Sequence, residues 1–210
     1  MSKVVLVTGA SSGIGKAIAT FLSAKGYIVY GTSRNPKNEK EFSFELIALD
    51  VLELDTINTA VNYILEKEGR LDVLVNNAGM GITGPVEETP TDEMRAVFNT
   101  NLFGAIDVMK AVLPQMRKQN AGTIINVTSI AGYMGLPFRG LYSATKAALE
   151  IVTEAARIEV KNFGIQIVNV APGDFATNIA AGRYHTPVFE NSAYKEDYQT
   201  NLDLMDAHVG

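Results

Sequence analysis

The chain contains no cysteine. That excludes disulfides and thiolate metal sites, and it says little about compartment. It has only two histidines, His185 and His208, whose spacing suits no shared ion, so no metal is expected. No basic run stands out, and acidic residues outnumber basic ones by 23 to 18, for a net charge of −5. A nucleic-acid partner is therefore not expected. The longest apolar runs are strand-length, far short of a membrane span. The first strand follows Met1 within a few residues, which leaves no room for a signal peptide, and a cytoplasmic location is the expectation. There is no internal repeat, low-complexity tract or linker, so the 210 residues are expected to form one domain.

What is present alternates. Short apolar, β-branched runs predict strands at about 3–7, 27–31, 45–50, 71–75, 123–128 and 165–170. Helical periodicity predicts helices at about 13–25, 55–68, 91–118 and 141–162. Alternation of this kind implies βαβ units, hence an α/β fold with a doubly wound parallel sheet and helices on both faces. Asp55 and Thr91 are candidate caps for the second and third helices, and Gly26 closes the first. Pro114 falls inside the long helix and is expected to kink it or end it early.

The first strand runs into Thr8-Gly9-Ala10-Ser11-Ser12-Gly13-Ile14-Gly15 and then a helix. Strand, glycine loop and helix form the setting in which a dinucleotide is held. Gly9 allows a tight turn, Gly13 lets backbone approach a pyrophosphate, and Gly15 lets helix and strand pack closely. The helix N-terminus offers unpaired N–H groups to the phosphates. The spacing is G-x-x-x-G-x-G, and glycines also serve ordinary turns.

Further along, Tyr142 and Lys146 lie four residues apart on a predicted helix, with Ser129 thirteen residues before the tyrosine. An i, i+4 pair shares one helix face. A cation beside a phenol favours the phenolate. A free tyrosine has a pKa of about 10, so half-ionisation at neutral pH needs it lowered by about 3, on the order of 4 kcal/mol. The tuned tyrosine would exchange a proton with an alcohol or carbonyl, and Ser129 would hold the same oxygen. The plain alternatives are a surface helix contact for the pair and a turn-forming role for Ser129.

Together these residues resemble the short-chain dehydrogenase/reductase family, from Lys3 to about Thr177. Thr8 to Gly15 is similar to the family's TGxxxGxG, and Asn76-Asn77-Ala78-Gly79 to its NNAG. Asn101, in Asn-Leu-Phe-Gly, resembles the active-site asparagine, with Asn99 a nearby alternative. Ser129, Tyr142 and Lys146 resemble the catalytic serine and YxxxK. Pro172-Gly173, with Thr177 beyond, resembles the segment that closes over the nicotinamide. Asp50-Val51 resembles the family's adenine-contacting pair. These motifs stand in the family's order and at its spacings.

The resemblance implies an NAD(P)-dependent oxidoreductase that moves a hydride between the nicotinamide and a substrate carbon. Tyr142 would handle the proton, Ser129 would orient the oxygen, and Lys146 would tune the tyrosine and contact the nicotinamide ribose. Asn101 would hold a helix irregularity and support a proton relay. Asn77 and Asn76 would tie strands together, and Ala78 and Gly79 would leave space for the adenosine. Thr177 would bond the carboxamide, unless it is only a capping residue. An acidic residue at the end of the second strand would select NAD. Ser33 stands there, followed by Arg34, whose guanidinium can grip a 2′-phosphate. NADP is therefore expected over NAD, with a solvated loop arginine as the alternative.

The substrate is expected to be a bulky apolar alcohol or ketone. Tyr133, Met134 and Phe138 suit an apolar pocket wall. The stretch from about 174 onwards is read as a substrate loop, whose Phe175, Tyr184, Phe189, Tyr194 and Tyr198 are either a lid or packing residues. Gly84 to Glu87 and Pro172 to Phe175 resemble the branch containing retinol and 17β-hydroxysteroid dehydrogenases. The predicted helix from Leu141 carries small apolar residues that suit core packing or a subunit contact, and the family habit implies a homodimer or homotetramer.

Family members continue past the substrate loop into a helix and a final strand, absent here, which would leave Ile165 to Val168 an exposed sheet edge. Either the chain is part of a longer one, the favoured reading, or a partner covers the edge. Two other functions compete: a dinucleotide-binding sensor or scaffold of the same fold, and a methyltransferase. The intact Ser129, Asn101, Tyr142 and Lys146 set argues against the first, and the Tyr-Lys pair and Asn-Asn-Ala-Gly against the second.

Overall fold

The computed structural model describes residues 2–36, 42–173 and 182–208. The elements run β1 (Val4–Val7), α1 (Gly13–Ala24), β2 (Ile28–Ser33), β3 (Glu45–Ala48), α2 (Leu54–Glu68), β4 (Val73–Asn76), β5 (Ile82–Thr83), α3 (Thr91–Phe98), α4 (Ala105–Gln119), β6 (Gly122–Val127), α5 (Gly140–Glu159), β7 (Ile165–Val170), β8 (Tyr184–His185) and α6 (Lys195–His208). Six strands form one parallel sheet in the order β3-β2-β1-β4-β6-β7, so the order reverses beside β1, between β1 and β4. Ligands bind such sheets at the carboxyl ends of the strands next to that reversal.

Every side chain of β1 is buried, because both sheet faces are covered there. On one face Val4, Leu6, Leu74, Ile124 and Ile167 pack against Ile57, Val61 and Ile64 of α2 and Val108, Val112 and Met116 of α4. On the other, Val5, Val7, Val29 and Val75 pack against Ala19 of α1 and Phe44. α5 joins the first face through Leu149, which packs with Leu102 and Ala105. β7 is the sheet edge. Its Ile165 and Ile167 are buried, whereas Val168 and Val170 stay exposed on the opposite face.

Several local expectations change. α4 runs through Pro114 to Gln119 and is not ended early. Burial of Val112 and Met116 on either side of the proline offsets the roughly 3 kcal/mol that a mid-helix proline costs. The irregularity sits earlier, at Asn99–Gly104, which is wound as a π-helix between α3 and α4. Residues 91–119 form a helical run long and apolar enough to cross a membrane by length and composition, but its apolar side lies in the core.

Asp55 and Thr91 are not caps. α2 starts after Glu53 and α3 after Pro90, neither with a side-chain cap bond, so both residues sit inside the first turn. The C-terminal stretch read as a loop contains β8 and α6. α6 is mostly polar along its length, and β8 is two residues long, so neither carries a period that sequence could reveal.

Candidate active site

The glycine loop and the segment after β4 are stitched to each other. The Thr8 hydroxyl accepts from the N–H groups of Asn77 (2.9 Å) and Ala78 (3.0 Å). The Asn77 amide donates back to the carbonyls of Thr8 (2.9 Å) and Gly9 (3.2 Å). Gly9 and Gly13 have left-handed backbone, φ +66° and +54°, where a side chain is strained. A Cβ on Gly15 would collide with the Asn77 amide and the Gly9 carbonyl, so only glycine lets α1 start this close. Ser12 stands at the α1 N-cap without a side-chain cap bond, and Ser11, Ser12 and Gly13 are exposed.

These residues open one end of a cleft of about 400 Å³. It brings together Gly9, Ser11, Ser12, Gly13 and Ile14 with Ser33, Arg34, Asp50, Val51, Asn77, Ala78 and Gly79. Thr8 and Gly15 do not line it; both are buried and hold the loop in shape. Arg34 is exposed on the rim, one residue past β2. Asp50 shapes its own turn by accepting the Leu52 N–H (3.0 Å). Val51 packs on the π-helix, where a Cβ on Gly104 would reach it at 2.8 Å.

Thr32, read with Ser33 as a possible hydroxyl donor to a phosphate, also lines the cleft, as do Leu49, Leu52, Met80, Thr100 and Gly182, which sequence reasoning missed. All but Gly182 adjoin or flank a recognised motif. Thr32 anchors the loop, its hydroxyl accepting from Gly9 N–H (3.3 Å).

The catalytic candidates gather beyond the cleft. Ser129 follows β6, and its hydroxyl accepts the Ala131 N–H (3.2 Å) at the start of a short 3₁₀ turn, Ile130–Tyr133. Its turn-forming role is thus present alongside its place at the strand's carboxyl end. The Pro172 carbonyl accepts the Ile130 N–H (3.0 Å), and Gly173 lies against Ile130, so both sit beside the serine loop rather than lining the cleft. Thr177 and Phe175 lie outside the described residues.

Tyr142 and Lys146 rise from the first half of α5. Lys146 is only 5% exposed, donates to the Val127 carbonyl at 2.9 Å, and stands 5.8 Å from the centre of the Tyr142 ring. Burial pushes the lysine down to about 8, so at neutral pH it remains mostly ammonium.

Asn101, not the exposed Asn99, is buried inside the π-helix. Its amide oxygen accepts the Met80 N–H (2.8 Å), and its nitrogen donates to the Met80 carbonyl (2.9 Å) and the Thr145 hydroxyl (3.1 Å). A Cβ on Gly79 would stand 3.2 Å from that oxygen and 3.7 Å from the lysine nitrogen. Thr145 was missed; a polar residue on the buried side of a helix, next to the lysine, was the available signal. Below the site, Asn76 donates to Asn126 (3.0 Å) and the Ala105 carbonyl (3.0 Å), and Asn126 donates to Thr153 (2.7 Å). This buried network ties β4, β6, α4 and α5 together. The signal was an asparagine inside the apolar run of β6.

The aromatics divide. Tyr133, Met134 and Phe189 are exposed, whereas Tyr198 is buried against Phe138. Tyr194 donates to Glu87 (2.6 Å). Among the described residues, no group of three His, Cys, Asp or Glu is placed to hold a metal.

A glycine loop at a helix start, a cleft along the strand ends, a buried lysine near a tyrosine ring, and a serine turn packed on the lysine's helix form one arrangement. The family model described as short chain dehydrogenase matches residues 3–187. The chain is 45% identical over 205 residues to a 3-ketodihydrosphingosine reductase of Bacteroides thetaiotaomicron, covering 97% of this chain and 76% of that protein. A crystal structure of a short-chain dehydrogenase from Streptomyces avermitilis superposes with a TM-score of 0.89 at 39% identity, covering 98% of this chain and 78% of the other. ElxO with NADP bound gives 0.81 at 36% identity, covering 98% and 80%. The chain belongs to the short-chain dehydrogenase family of NAD(P)-dependent oxidoreductases.

Proposed function

We propose that this chain moves a hydride between NADP and the carbonyl or carbinol carbon of a bulky, apolar substrate. The observation that carries the reading is Lys146, a buried cation held at the Val127 carbonyl 5.8 Å from the Tyr142 ring. A protonated amine there favours ionisation of the phenol, which lets Tyr142 give and take a proton near neutral pH. In the reductive direction Tyr142 protonates the substrate oxygen as the carbon is reduced. Ser129 donates a hydrogen bond to that oxygen and fixes its direction. Asn101 holds the π-helix against Met80 and Thr145, beside the lysine. When bound, the nicotinamide supplies or accepts the hydride.

The residues fit such a cofactor: the cleft runs from the glycine loop past Arg34 to Gly79, and a side chain on Gly9 or Gly15 would spoil it. Related folds hold either cofactor, as the NADP-bound ElxO and NAD+-bound xylitol dehydrogenase structures do. Here Ser33 and Arg34 occupy the position where a carboxylate would favour NAD, which supports NADP. The exposed Tyr133 and Met134 beside Ser129 support an apolar substrate, and the 3-ketodihydrosphingosine reductase relative supports a ketone on a long alkyl chain. The same reading includes self-association, because α5 exposes Ile151 and Ile158 one turn either side of Ala155.

The test is parallel titration with NADPH and NADH, followed by NADPH oxidation against long-chain and short-chain ketones. The proposal expects tighter NADPH binding and turnover that increases with chain length. Binding without turnover on any carbonyl would favour a sensor instead.

A further inference from the structure

The loop from Ser129 to Tyr142 is pinned at one residue that the proposed chemistry does not use. Phe138 has left-handed backbone, φ +58°, although it is not glycine. Such a conformation persists when its surroundings over-determine it. Two contacts do so. The Phe138 carbonyl accepts the Gly84 N–H at 2.8 Å, and its ring lies on that of Tyr198, centres 5.2 Å apart and planes 38° apart.

Tyr198 belongs to α6, sixty residues further along, and is 1% exposed. Its hydroxyl stands 3.0 Å from the carbonyls of both Thr83 and Thr186, and its one proton is shared between them. Those threonines belong to the β5–β8 junction, where Ile82 pairs with Tyr184 and Thr83 with His185. Thr89 and Thr186 hydroxyls meet at 3.0 Å, and a Cβ on Gly84 would collide with Thr186. The C-terminal unit of β8 and α6 is thus seated against the Phe138 ring and against the Thr83–Gly84 segment that bonds the Phe138 carbonyl. Phe138 lies two residues before α5 begins and four before Tyr142.

We infer that Tyr198 is a positioning residue: through Phe138 it sets how the chain enters α5, and so where the Tyr142 phenol stands relative to Ser129. The catalytic part of this inference rests on the proposed function; the mechanical part does not.

The experiment combines amide hydrogen exchange with steady-state kinetics on Tyr198→Leu, Tyr198→Phe, Phe138→Leu and the double variant Phe138→Leu/Tyr198→Leu. In either leucine single variant, exchange should speed up at residues 143–146 while α4 is unchanged. The turnover number should fall roughly tenfold to hundredfold, the range expected of a misplaced catalytic group, with carbonyl KM and NADPH Kd little changed. Tyr198→Phe keeps the ring against Phe138 and should restore most of the turnover. The double variant should be no worse than either single one, because the two rings act as a unit. If Tyr198→Leu does not fold, Phe138→Leu carries the same readouts. A fall in Tm alone, with exchange at 143–146 and kcat unchanged, would overturn the inference. If the native protein turns over no carbonyl, the proposed function fails, and the exchange data alone decide the coupling.

Discussion

The two sides of this site are made of different material. The side proposed to hold the cofactor is mostly backbone: Gly9, Gly13 and Gly15 shape it, and Thr8 and Asn77 hold it through main-chain hydrogen bonds. The other side, next to the catalytic candidates, joins distant segments: the Phe138 ring meets Tyr198, whose hydroxyl reaches the Thr83 and Thr186 carbonyls through contacts up to 115 residues apart. Between them stand Lys146 and Asn101, buried polar groups whose partners come from β6, α5 and the turn after β4. A shared ligand imposes local rules that short motifs can record. Packing between distant segments imposes only long-range fits, which leave no local trace.

Substitutions can break that division. Among the residues that support the tyrosine, the largest effect is expected at Lys146. Lys146→Met removes the cation beside Tyr142, and kcat should fall roughly 10²- to 10⁴-fold, the usual worth of acid–base assistance, with NADPH still binding the glycine loop. The same variant has a signature in stability. The lysine titrates near 8 when folded and at its ordinary 10.5 when unfolded. Between those values the unfolded chain binds the extra proton, so native stability rises as pH climbs from about 8 to 10.5. Below about 8 the full cost of burying the charge is present, on the order of 3 kcal/mol. Urea melts at several pH values should give that slope for the native protein and a flatter one for Lys146→Met.

Arg34→Ala probes the other side. Loss of a charge-assisted phosphate contact, about 1.5–3 kcal/mol, should weaken NADPH binding roughly tenfold to hundredfold and leave NADH unchanged. Equal weakening of both cofactors would contradict the assignment. Gly15→Ala should cost about 1–3 kcal/mol of stability by overpacking against Asn77 and Gly9, and should weaken both cofactors alike in the same titrations. The smallest change is Thr145→Val. It removes one acceptor from the Asn101 amide and should cost about 1 kcal/mol, read as a lower Tm with only a modest loss of kcat.

Legibility follows the same line. The parallel sheet could be read because its strands are short apolar runs separated by helical periods, and the glycine loop because its residues are contiguous. Asn101 was recognised only through the Leu-Phe-Gly after it, since nothing in helical periodicity announces a π-helix. Asn126 and Thr153 were overlooked because, although an asparagine in an apolar strand signals a buried partner, nothing local says that the partner is Thr153, 27 residues away on another element. Asp55 and Thr91 misled because cap preference is weak beside the packing that sets where a helix begins. The run through Pro114 shows the same priority of packing over propensity. The β5–β8 junction and α6 escaped altogether, the first too short and the second too polar to show a period.

The most direct test of the central claim is Tyr142→Phe, assayed for NADPH binding and for ketone reduction. Removing only the hydroxyl should reduce turnover by roughly 10²-fold or more while NADPH Kd stays near that of the native protein. Turnover at the native rate would contradict the account, because the proton would then come from a group other than the phenol above Lys146.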